Sequence, residues 1–532
     1  MGFKPLRITR QISHGVYIAA ATLAWVGLTS PAMALDDAEI RGKQIYFEGT
    51  SPRGTEIMAV VGDEGATLPG SAMPCSSCHG GDGLGRPEGG LIPLDIRWSE
   101  LVKTYGHVHH NGRRHPAYDD ESFAMSMYGG VDPANNPLDR SMPFYQMSRE
   151  DMADLIAYMK VLEYDFDPGV SDDRVQVATL LPLGGPAAAT GQAMAMVMQG
   201  HFENINEKGG IFGRRIELLA VPFGPSTDAS LGNLQQALTE EGAFAVVGAY
   251  TIGFDDAMLE MLRTDNVPLI GPFTLDPGDA FFDAAAFYIY AGFDEQARAL
   301  ADQAVMQGAN PDKIVVASPD DARFNDPVRA VREQVRAKSG AGAPDEARYV
   351  GGEFDAMAFA ERVAAYEALI FLGPQSDLDP LLAALDSKGS SPRIYLLSSS
   401  LSQPLFDAPV SFDRRILIAY PTLSSDITPS GREEYQSLVE TYSLPREHVQ
   451  AQLAALAAAK LLVEGLRRAG RDLSRVRLIE GIEELFGFET GVTPPLSYGP
   501  NRRIGARGAH IIAVDLANKR YAPIGDGWYD LR

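Results

Sequence analysis

The chain has 532 residues, a formal net charge of −24 and two cysteines. This excess of acid argues against nucleic acid or an anionic membrane surface as a partner, because both repel negative charge. The length exceeds what one ordinary hydrophobic core holds, so two or three domains are expected.

Residues 1–34 have the pattern of a secretory signal. Three cations and no acid precede an apolar run over residues 15–28, and a small-x-small cleavage site follows at residues 32–34. The run is shorter than the roughly 20 residues that a spanning helix needs. We therefore predict a cleaved signal, a periplasmic mature protein and no stable membrane insertion. An uncleaved anchor is the alternative.

The motif Cys75-Ser76-Ser77-Cys78-His79 contains every cysteine of the chain. Two thiols at this spacing, followed directly by histidine, are typical of covalent c-type haem attachment. Cys75 and Cys78 are expected to form the two thioethers, with His79 as the proximal ligand of the iron.

Two other interpretations of this motif stay open. A thioredoxin-like redox pair begins a helix after a buried strand, whereas a glycine-rich loop follows here. A zinc site needs two further ligands. Four histidines further along the chain could nominally supply them: His107, His109, His110 and His115. We favour haem.

The pattern up to residue 166 is mainly helical. Ser148 precedes the last helix as an N-cap, with Asp151 in a capping-box-like position. The stretch from Gly49 to Pro74, rich in glycine, proline and small residues, is predicted to be a loop. The predicted helices are Asp36–Phe47, Asp120–Tyr128 and Arg149–Leu162.

Met142 is the predicted sixth ligand of the iron. It lies off the last helix and precedes a proline. A thioether opposite histidine raises the reduction potential and closes the coordination sphere, which suits electron transfer. The methionines at helical spacing are predicted to pack instead: Met125, Met127, Met152 and Met159. Ligation by one of the four histidines is the alternative, although a solvated surface cluster is our preferred interpretation of these.

Together, these features resemble a class I cytochrome c. The resemblance covers Cys75–Leu162 and implies a small all-α domain over residues 36–166, with one covalently attached haem c. It also implies that the N-terminal helix packs against the last one. Two short segments, Ala117–Asp120 and Gly130–Pro133, are similar to cytochrome subunits that accept electrons from dehydrogenases. A linker is predicted at residues 167–173, where proline, glycine and aspartate are frequent.

Beyond this linker, strand-like runs alternate with helical patterns. Alternation of this kind predicts parallel α/β sheets, and 359 residues at 174–532 are enough for two lobes. The predicted strands are Arg174–Leu181, Ile216–Val221, Phe244–Gly248, Val267–Gly271, Lys313–Ala317, Ala368–Leu372 and Ile394–Leu397.

Six short segments of this region follow one another in a characteristic order: Leu181–Ala188, Asn206–Arg214, Val246–Gly248, Pro268–Pro272, Phe488–Gly491 and Ser497–Asn501. They resemble the branched-chain amino-acid-binding proteins, which are type I periplasmic solute-binding proteins of ABC importers. The resemblance spans 174–532 and implies two doubly wound lobes, joined by three crossings, that close on a small ligand.

Matched by position, the resemblance also implies a ligand pocket. Its residues are Thr190, Tyr250, Thr251, Phe273, Thr274, Phe324 and Ser400. Amino-acid receptors of this family place a carboxylate where this chain has Ser398–Ser400, and a tyrosine where it has Phe324. Burying an ammonium without a charge partner is costly. We therefore expect a neutral or acidic ligand with an apolar or aromatic part, rather than a simple amino acid.

The sequence thus predicts a periplasmic electron carrier with an attached small-molecule-binding domain. Its redox partner is expected to be a dehydrogenase, of the quinoprotein type for example, or another cytochrome. No enzymatic activity is expected, although a peroxidase or gas sensor with an open sixth site is an alternative. A second alternative is an importer-type binding protein with an accessory haem for sensing or docking. A third is a vestigial pocket whose lobes serve as a docking surface.

Overall fold

The structure is a computed structural model, and it describes residues 35–62, 65–85, 92–109, 112–274, 277, 285–340, 342–398 and 405–531. The predicted signal, Ser400 and His110 lie outside the described residues. The chain divides into two compact units. Unit 1 comprises Met1–Pro74 and Val102–Val161, and unit 2 comprises Cys75–Leu101 and Leu162–Arg532. The cysteine motif therefore belongs to unit 2.

The described chain up to residue 161 contains short strands as well as the predicted helices. The helices are α1 (Asp37–Glu48), α2 (Cys75–His79), α3 (Trp98–Leu101), α4 (Asp120–Gly129) and α5 (Arg149–Val161). The strands are β1 (Met58–Val61), β2 (Ala66–Pro69), β3 (His107–Val108), β4 (Arg114–His115) and β5 (Phe144–Gln146).

In unit 1, α1 packs against α5, as the resemblance implied. The contact is so close that a Cβ added at Gly42 would lie 2.0 Å from the carbonyl oxygen of Asp154. Arg41 donates to the Asp154 carboxylate across the same contact, at 2.9 Å. The Tyr46 and Tyr158 rings, both fully buried, lie 5.7 Å apart. The first and last helices of this region thus form one helical pair.

The stretch predicted as a loop between Gly49 and Pro74 is partly a sheet. Strand β1 pairs antiparallel with β2 and with β5, in the order β2-β1-β5. Its side chains Ala59 and Val60 are buried. The loop prediction is wrong for β1 and β2, because composition concealed four consecutive apolar residues, Met58–Val61, that can fill a small core.

The chain after residue 162 alternates helices with strands. The described helices are α6 (Ala188–Asn206), α7 (Thr227–Thr239), α8 (Asp255–Thr264), α9 (Phe293–Met306), α10 (Asn325–Ser339), α11 (Ala356–Val363), α12 (Gln375–Ser387), α13 (Pro429–Tyr442), α14 (Val449–Ala469) and α15 (Arg475–Glu483). The described strands are β6 (Arg174–Leu181), β7 (Arg215–Pro222), β8 (Val246–Val247), β9 (Leu269–Ile270), β10 (Ala286–Tyr290), β11 (Ile314–Pro319), β12 (Asp345–Tyr349), β13 (Ala368–Phe371), β14 (Arg393–Leu397), β15 (Ile416–Tyr420), β16 (Ile504–Ala506), β17 (Gly508–Asp515) and β18 (Arg520–Asp530). Each predicted strand run overlaps one of these strands.

Lobe 1 is built on a parallel sheet in the order β16-β10-β9-β8-β6-β7. Apolar residues of α6, α14 and α15 cover one face, and α7 and α8 cover the other. Because all its strands run the same way, the sheet has an amino edge, where they begin, and a carboxyl edge, where they end. These two names are used below.

Lobe 2 has a sheet in the order β12-β11-β13-β14-β15-β17-β18. Neighbouring strands are parallel from β12 to β15, whereas β17 is antiparallel to both β15 and β18. Helices α11 and α12 cover one face, and α9 and α10 cover the other. The chain passes between the lobes after β10, after β15 and after β16, which are the three predicted crossings.

One described helix, α14, is long and apolar enough to cross a membrane by length and composition. Most of it is buried in the core of lobe 1. A core helix of this kind passes the same test, so α14 is weak evidence for a membrane span.

Candidate haem site and ligand cleft

The cysteine motif forms the short helix α2, in which Cys75 and Cys78 are three positions apart. Residues at this spacing share one face of a helix. The two thiols are half-buried and are not joined in a disulfide. His79 ends the helix and is buried, with 6 % of its surface exposed.

The imidazole of His79 is held in one orientation. Its Nδ1 lies 2.9 Å from the carbonyl oxygen of Leu94. Because a carbonyl oxygen can only accept, Nδ1 carries the hydrogen and donates a hydrogen bond to it. Burial lowers the pKa of His79, against the opposing effect of that hydrogen bond. A neutral ring whose Nδ1–H is engaged presents a lone pair on Nε2, as metal-bound histidines do. Two thiols on one face and an oriented imidazole fit a covalent c-type haem.

Glycines close the backbone around this motif. The amide of Gly85 donates to the carbonyl of His79 at 2.9 Å, and the carbonyl of Gly83 accepts from Ile96 at 2.8 Å. Both glycines have positive φ, and a Cβ at Gly85 would lie 2.3 Å from the carbonyl oxygen of Pro93. Only glycine fits this turn, because a side chain would clash and the backbone conformation is left-handed.

Met142 lies in unit 1, in a turn before β5. It is half-buried, and its amide donates to the carbonyl of Asp139 at 3.0 Å. Its role as iron ligand stays a prediction.

Packing is confirmed for three of the other methionines, which are buried: Met127, Met152 and Met159. The packing prediction is wrong for Met125, which is 51 % exposed.

The described histidines of unit 1 contact one another. His109 Nε2 lies 2.8 Å from His115 Nε2, and the His107 ring stacks on His115 at 4.7 Å. Burial, and then the charge of Arg113, lower the pKa of His109 to about 4. The expected solvated cluster is wrong for His115, which is buried. Among the described residues, no group of three or more acidic, histidine or cysteine side chains is arranged to hold a metal ion.

Four of the predicted pocket residues meet at the carboxyl edge of lobe 1. Tyr250 follows β8 and Phe273 follows β9, and their backbones form a parallel bridge. The two rings lie 5.5 Å apart, and the amide of Thr251 donates to the carbonyl of Phe273 at 3.1 Å. Thr274 is next to Phe273 and half-buried. This edge is where ligands bind in open α/β sheets.

Three residues of this edge were missed by sequence reasoning. The Phe223 ring lies 6.0 Å from Tyr250 and 5.4 Å from Phe254. Asp255 accepts a hydrogen bond from Thr251 Oγ1. Phe223 directly follows the end of β7, so the rule that strand ends line the cleft could have found it.

The other predicted pocket residues have different neighbours. Thr190 Oγ1 lies 3.1 Å from His448 Nδ1, beside a cavity of about 380 Å³ between α6 and the loop before α14. Phe324, at the carboxyl end of β11 in lobe 2, packs on the core of that lobe. The guanidinium of Arg323 lies 5.9 Å above the Phe324 ring.

Comparison with known proteins identifies both regions. Residues 174–519 match the family model for periplasmic binding proteins, and residues 63–163 match the model for cytochrome c. The chain belongs to the periplasmic binding protein family, with a cytochrome c domain ahead of the binding domain. Membership in that family implies a periplasmic location and a small-molecule ligand.

Solved structures share the fold of the binding domain. A periplasmic binding protein type 1 from Bordetella pertussis Tohama I matches with a TM-score of 0.51 and 18 % identity, over 66 % of this chain and 100 % of that one. A branched-chain amino acid ABC transporter from Thermus thermophilus, solved with bound valine, matches at 0.50 and 16 %, over 68 % and 97 %. A fatty acid ABC transporter substrate-binding protein from Thermomonospora curvata matches at 0.50 and 15 %, over 69 % and 95 %.

No curated protein matches the sequence significantly. The two transporter-related structures have different ligands in their descriptions, valine and fatty acid, at equal TM-scores. The fold therefore does not specify the ligand of this chain.

Proposed function

We propose that this protein is a periplasmic electron carrier whose binding domain recognises a small molecule. The observation that carries the proposal is the orientation of His79, a buried imidazole with Nδ1 engaged by a backbone carbonyl. His79 directly follows Cys78, which shares one face of α2 with Cys75. Cys75 and Cys78 would hold one haem c covalently, and His79 and Met142 would be its axial ligands. The haem, when bound, supplies one-electron chemistry.

The ligand proposed for the cleft is a neutral or acidic molecule with an apolar or aromatic part. Four half-buried aromatic rings at the carboxyl edge support this choice: Phe223, Tyr250, Phe254 and Phe273. Asp255 provides a carboxylate there, but it accepts from Thr251 and lies in the first turn of α8, where a negative charge is already compensated. An amino acid is thus the less favoured ligand.

The proposed redox partner is a periplasmic dehydrogenase or a second cytochrome. The net charge of −24 favours a partner with a basic docking surface, because opposite charges speed the encounter. The proposal includes a cleaved signal at residues 1–34 and domain boundaries at 36–166, 167–173 and 174–532.

Haem attachment is tested on protein produced in a host that matures c-type cytochromes. We expect the wild type to keep its haem on a denaturing gel, and a Cys75→Ala, Cys78→Ala variant to lose it. Met142→Ala should abolish the weak absorbance band typical of sulfur–iron ligation, whereas the exposed control Met125→Ala should keep it. Wild-type protein without covalent haem would refute the proposal.

Carbon monoxide separates the electron carrier from a peroxidase or gas sensor. A closed coordination sphere excludes it, so the reduced wild type should bind it only after Met142→Ala opens the sixth position. Rapid binding by the wild type would contradict Met142 as a ligand and favour the sensor.

The ligand is tested by thermal shift on the full chain with amino acids, alcohols, aldehydes, aliphatic carboxylates and aromatic acids. A bound ligand stabilises by mass action. We expect aromatic acids such as benzoate to stabilise more than leucine. Stabilisation by leucine alone would favour the importer-type receptor with an accessory haem.

A further inference from the structure

The segment that carries the cysteine motif contacts lobe 1 far along the sequence. Residues Cys75–Leu101, here named the haem-attachment segment, belong to the same compact unit as the lobes. Asp82, three positions after His79, accepts from Arg477 Nε at 2.5 Å. Both side chains are mostly buried, with 17 % and 27 % of their surfaces exposed. This ion pair is therefore shielded more than a surface pair.

A second charged contact lies nearby. Arg97 Nη1 is 3.8 Å from Asp472 Oδ1, and Arg97 also forms a two-pronged contact with Asp95. A Cβ added at Gly83, between the motif and Arg97, would lie 2.8 Å from Leu162 Cδ2. The segment is thus packed against residues that lead into the binding domain, in addition to being ion-paired with it.

Arg475 holds helix α15, which carries Arg477, against lobe 1. Its guanidinium, buried with 9 % exposed, donates to the carbonyls of Ala243, Phe244 and Asp265 at 2.9 to 3.1 Å. Its own amide donates to the carboxylate of Asp167, in the predicted linker, at 2.5 Å. The three carbonyls precede β8 and β9, so α15 is held at the amino edge of lobe 1.

We infer that Arg477 is a positioning residue for the haem-attachment segment, and that Asp472, Arg475 and Arg477 form a joint that fixes this segment to the amino edge of lobe 1. These three residues are named the α15 joint. The inference rests on the proposed function only in taking Cys75, Cys78 and His79 as the haem-binding residues. The cleft lies at the opposite edge, about 26 Å away by the length of the eight-residue strand β6.

The first test is hydrogen exchange on the full-length holoprotein. In Arg477→Glu we expect amides of residues 75–85 and 92–101 to exchange roughly ten-fold faster, because local opening no longer has to break an ion pair. The charge swap Asp82→Arg with Arg477→Glu should restore slow exchange. Arg468→Glu is the matched control, since the wild-type arginine pairs with Glu464 on its own helix, four positions earlier. Unchanged exchange in Arg477→Glu, or no rescue by the swap, would overturn the inference.

The second readout is the reduction potential, which a purely structural role would not move. Arg477→Gln leaves the Asp82 carboxylate without its cation three residues from His79. Negative charge stabilises the oxidised iron, so the potential should fall, and Asp82→Asn in the same protein should restore it. An unchanged potential in Arg477→Gln would contradict the joint as a positioning device.

The two proposals fail separately. Wild-type protein that lacks covalent haem refutes the proposed function, and the same exchange test on that haem-free, full-length protein then decides the joint. Protein that keeps its haem but shows no exchange or potential change in the Arg477 variants refutes the joint alone.

Discussion

The two edges of the lobe 1 sheet hold their residues by different means. At the amino edge, Arg475 is buried and donates to three backbone carbonyls, and Arg214 donates to the carbonyls of Ser171 and Arg471 at 2.6 and 2.7 Å. At the carboxyl edge, the rings of Tyr250 and Phe273 stay half-buried and contact other rings. One edge is locked by directional bonds, and the other keeps apolar surface that a ligand can cover.

The largest expected effect is a loss of stability when the hydrogen bonds of Arg475 at the amino edge are removed. Arg475→Gln would leave buried carbonyls without donors, and each buried carbonyl left unsatisfied typically costs about 1–3 kcal/mol. Denaturant unfolding followed by circular dichroism measures it. The exposed Arg467→Gln is the control and should change the free energy of unfolding by less than about 0.5 kcal/mol. Equal effects of the two variants would contradict a locked amino edge.

Truncating the aromatic edge should reduce binding more than stability. Phe273→Ala removes a half-exposed ring, so we expect affinity for the ligand identified by thermal shift to fall roughly 10- to 100-fold, or about 1.4–2.8 kcal/mol. Isothermal titration measures the affinity. The free energy of unfolding should fall by about 1 kcal/mol. Phe486→Ala, at a ring that is 92 % exposed, is the control and should leave affinity unchanged.

Acid should weaken lobe 1 at a site on neither edge. Burial opposes ionisation of Glu434, but hydrogen bonds from His201 and Lys460 outweigh it and lower its pKa from 4.5 to about 2. Because the folded pKa is depressed, the stabilisation is complete above about pH 4.5 and is lost as pH falls towards 2.

The difference between these pKa values corresponds to about 3 kcal/mol in full. Because a third of the Glu434 side chain is exposed, we reduce the expected effect to about 1–2 kcal/mol. Denaturant unfolding between pH 5 and pH 2.5 checks it. Glu434→Gln should be less stable at pH 7 and should lose less stability in acid. A parallel acid response of both proteins would show that Glu434 is not the titrating group.

The smallest effect is expected for ligand binding on the reduction potential of the haem. We expect the potential to be the same with and without ligand. The edges are separated by about 26 Å, and salt screens exposed charges beyond about 8–10 Å. Redox titration with and without saturating ligand checks this. A shifted potential would show that the two edges are coupled through the lobe.

The haem-attachment segment could be predicted from sequence because its chemistry is local. Cys75, Cys78 and His79 lie within five consecutive residues, and the glycines that follow them indicate a turn. The backbone partner of His79 could not be predicted, because Leu94 is fifteen residues away in the chain and belongs to no motif. The α15 joint could not be predicted either, because Asp82 and Arg477 are separated by 395 positions in the sequence.

The fold of the lobes was predictable for a different reason. Strands of a parallel sheet are apolar runs, and each of the predicted runs overlaps a strand. Positions matched to a family located Tyr250, Thr251 and Phe273, which do meet. Asp255 was missed because its contact with Thr251 depends on the first turn of α8, and a single carboxylate near a threonine has no signal in sequence.

The separation between Asp82 and Arg477 has a consequence for how the protein is made. At roughly 5–20 residues per second, ribosomes complete Asp82 about 20–80 s before Arg477. During that interval the cysteine motif exists without the helix that later clamps it. The α15 joint can therefore form only after most of the chain has been made, which makes anchoring of the haem-attachment segment a late step in folding.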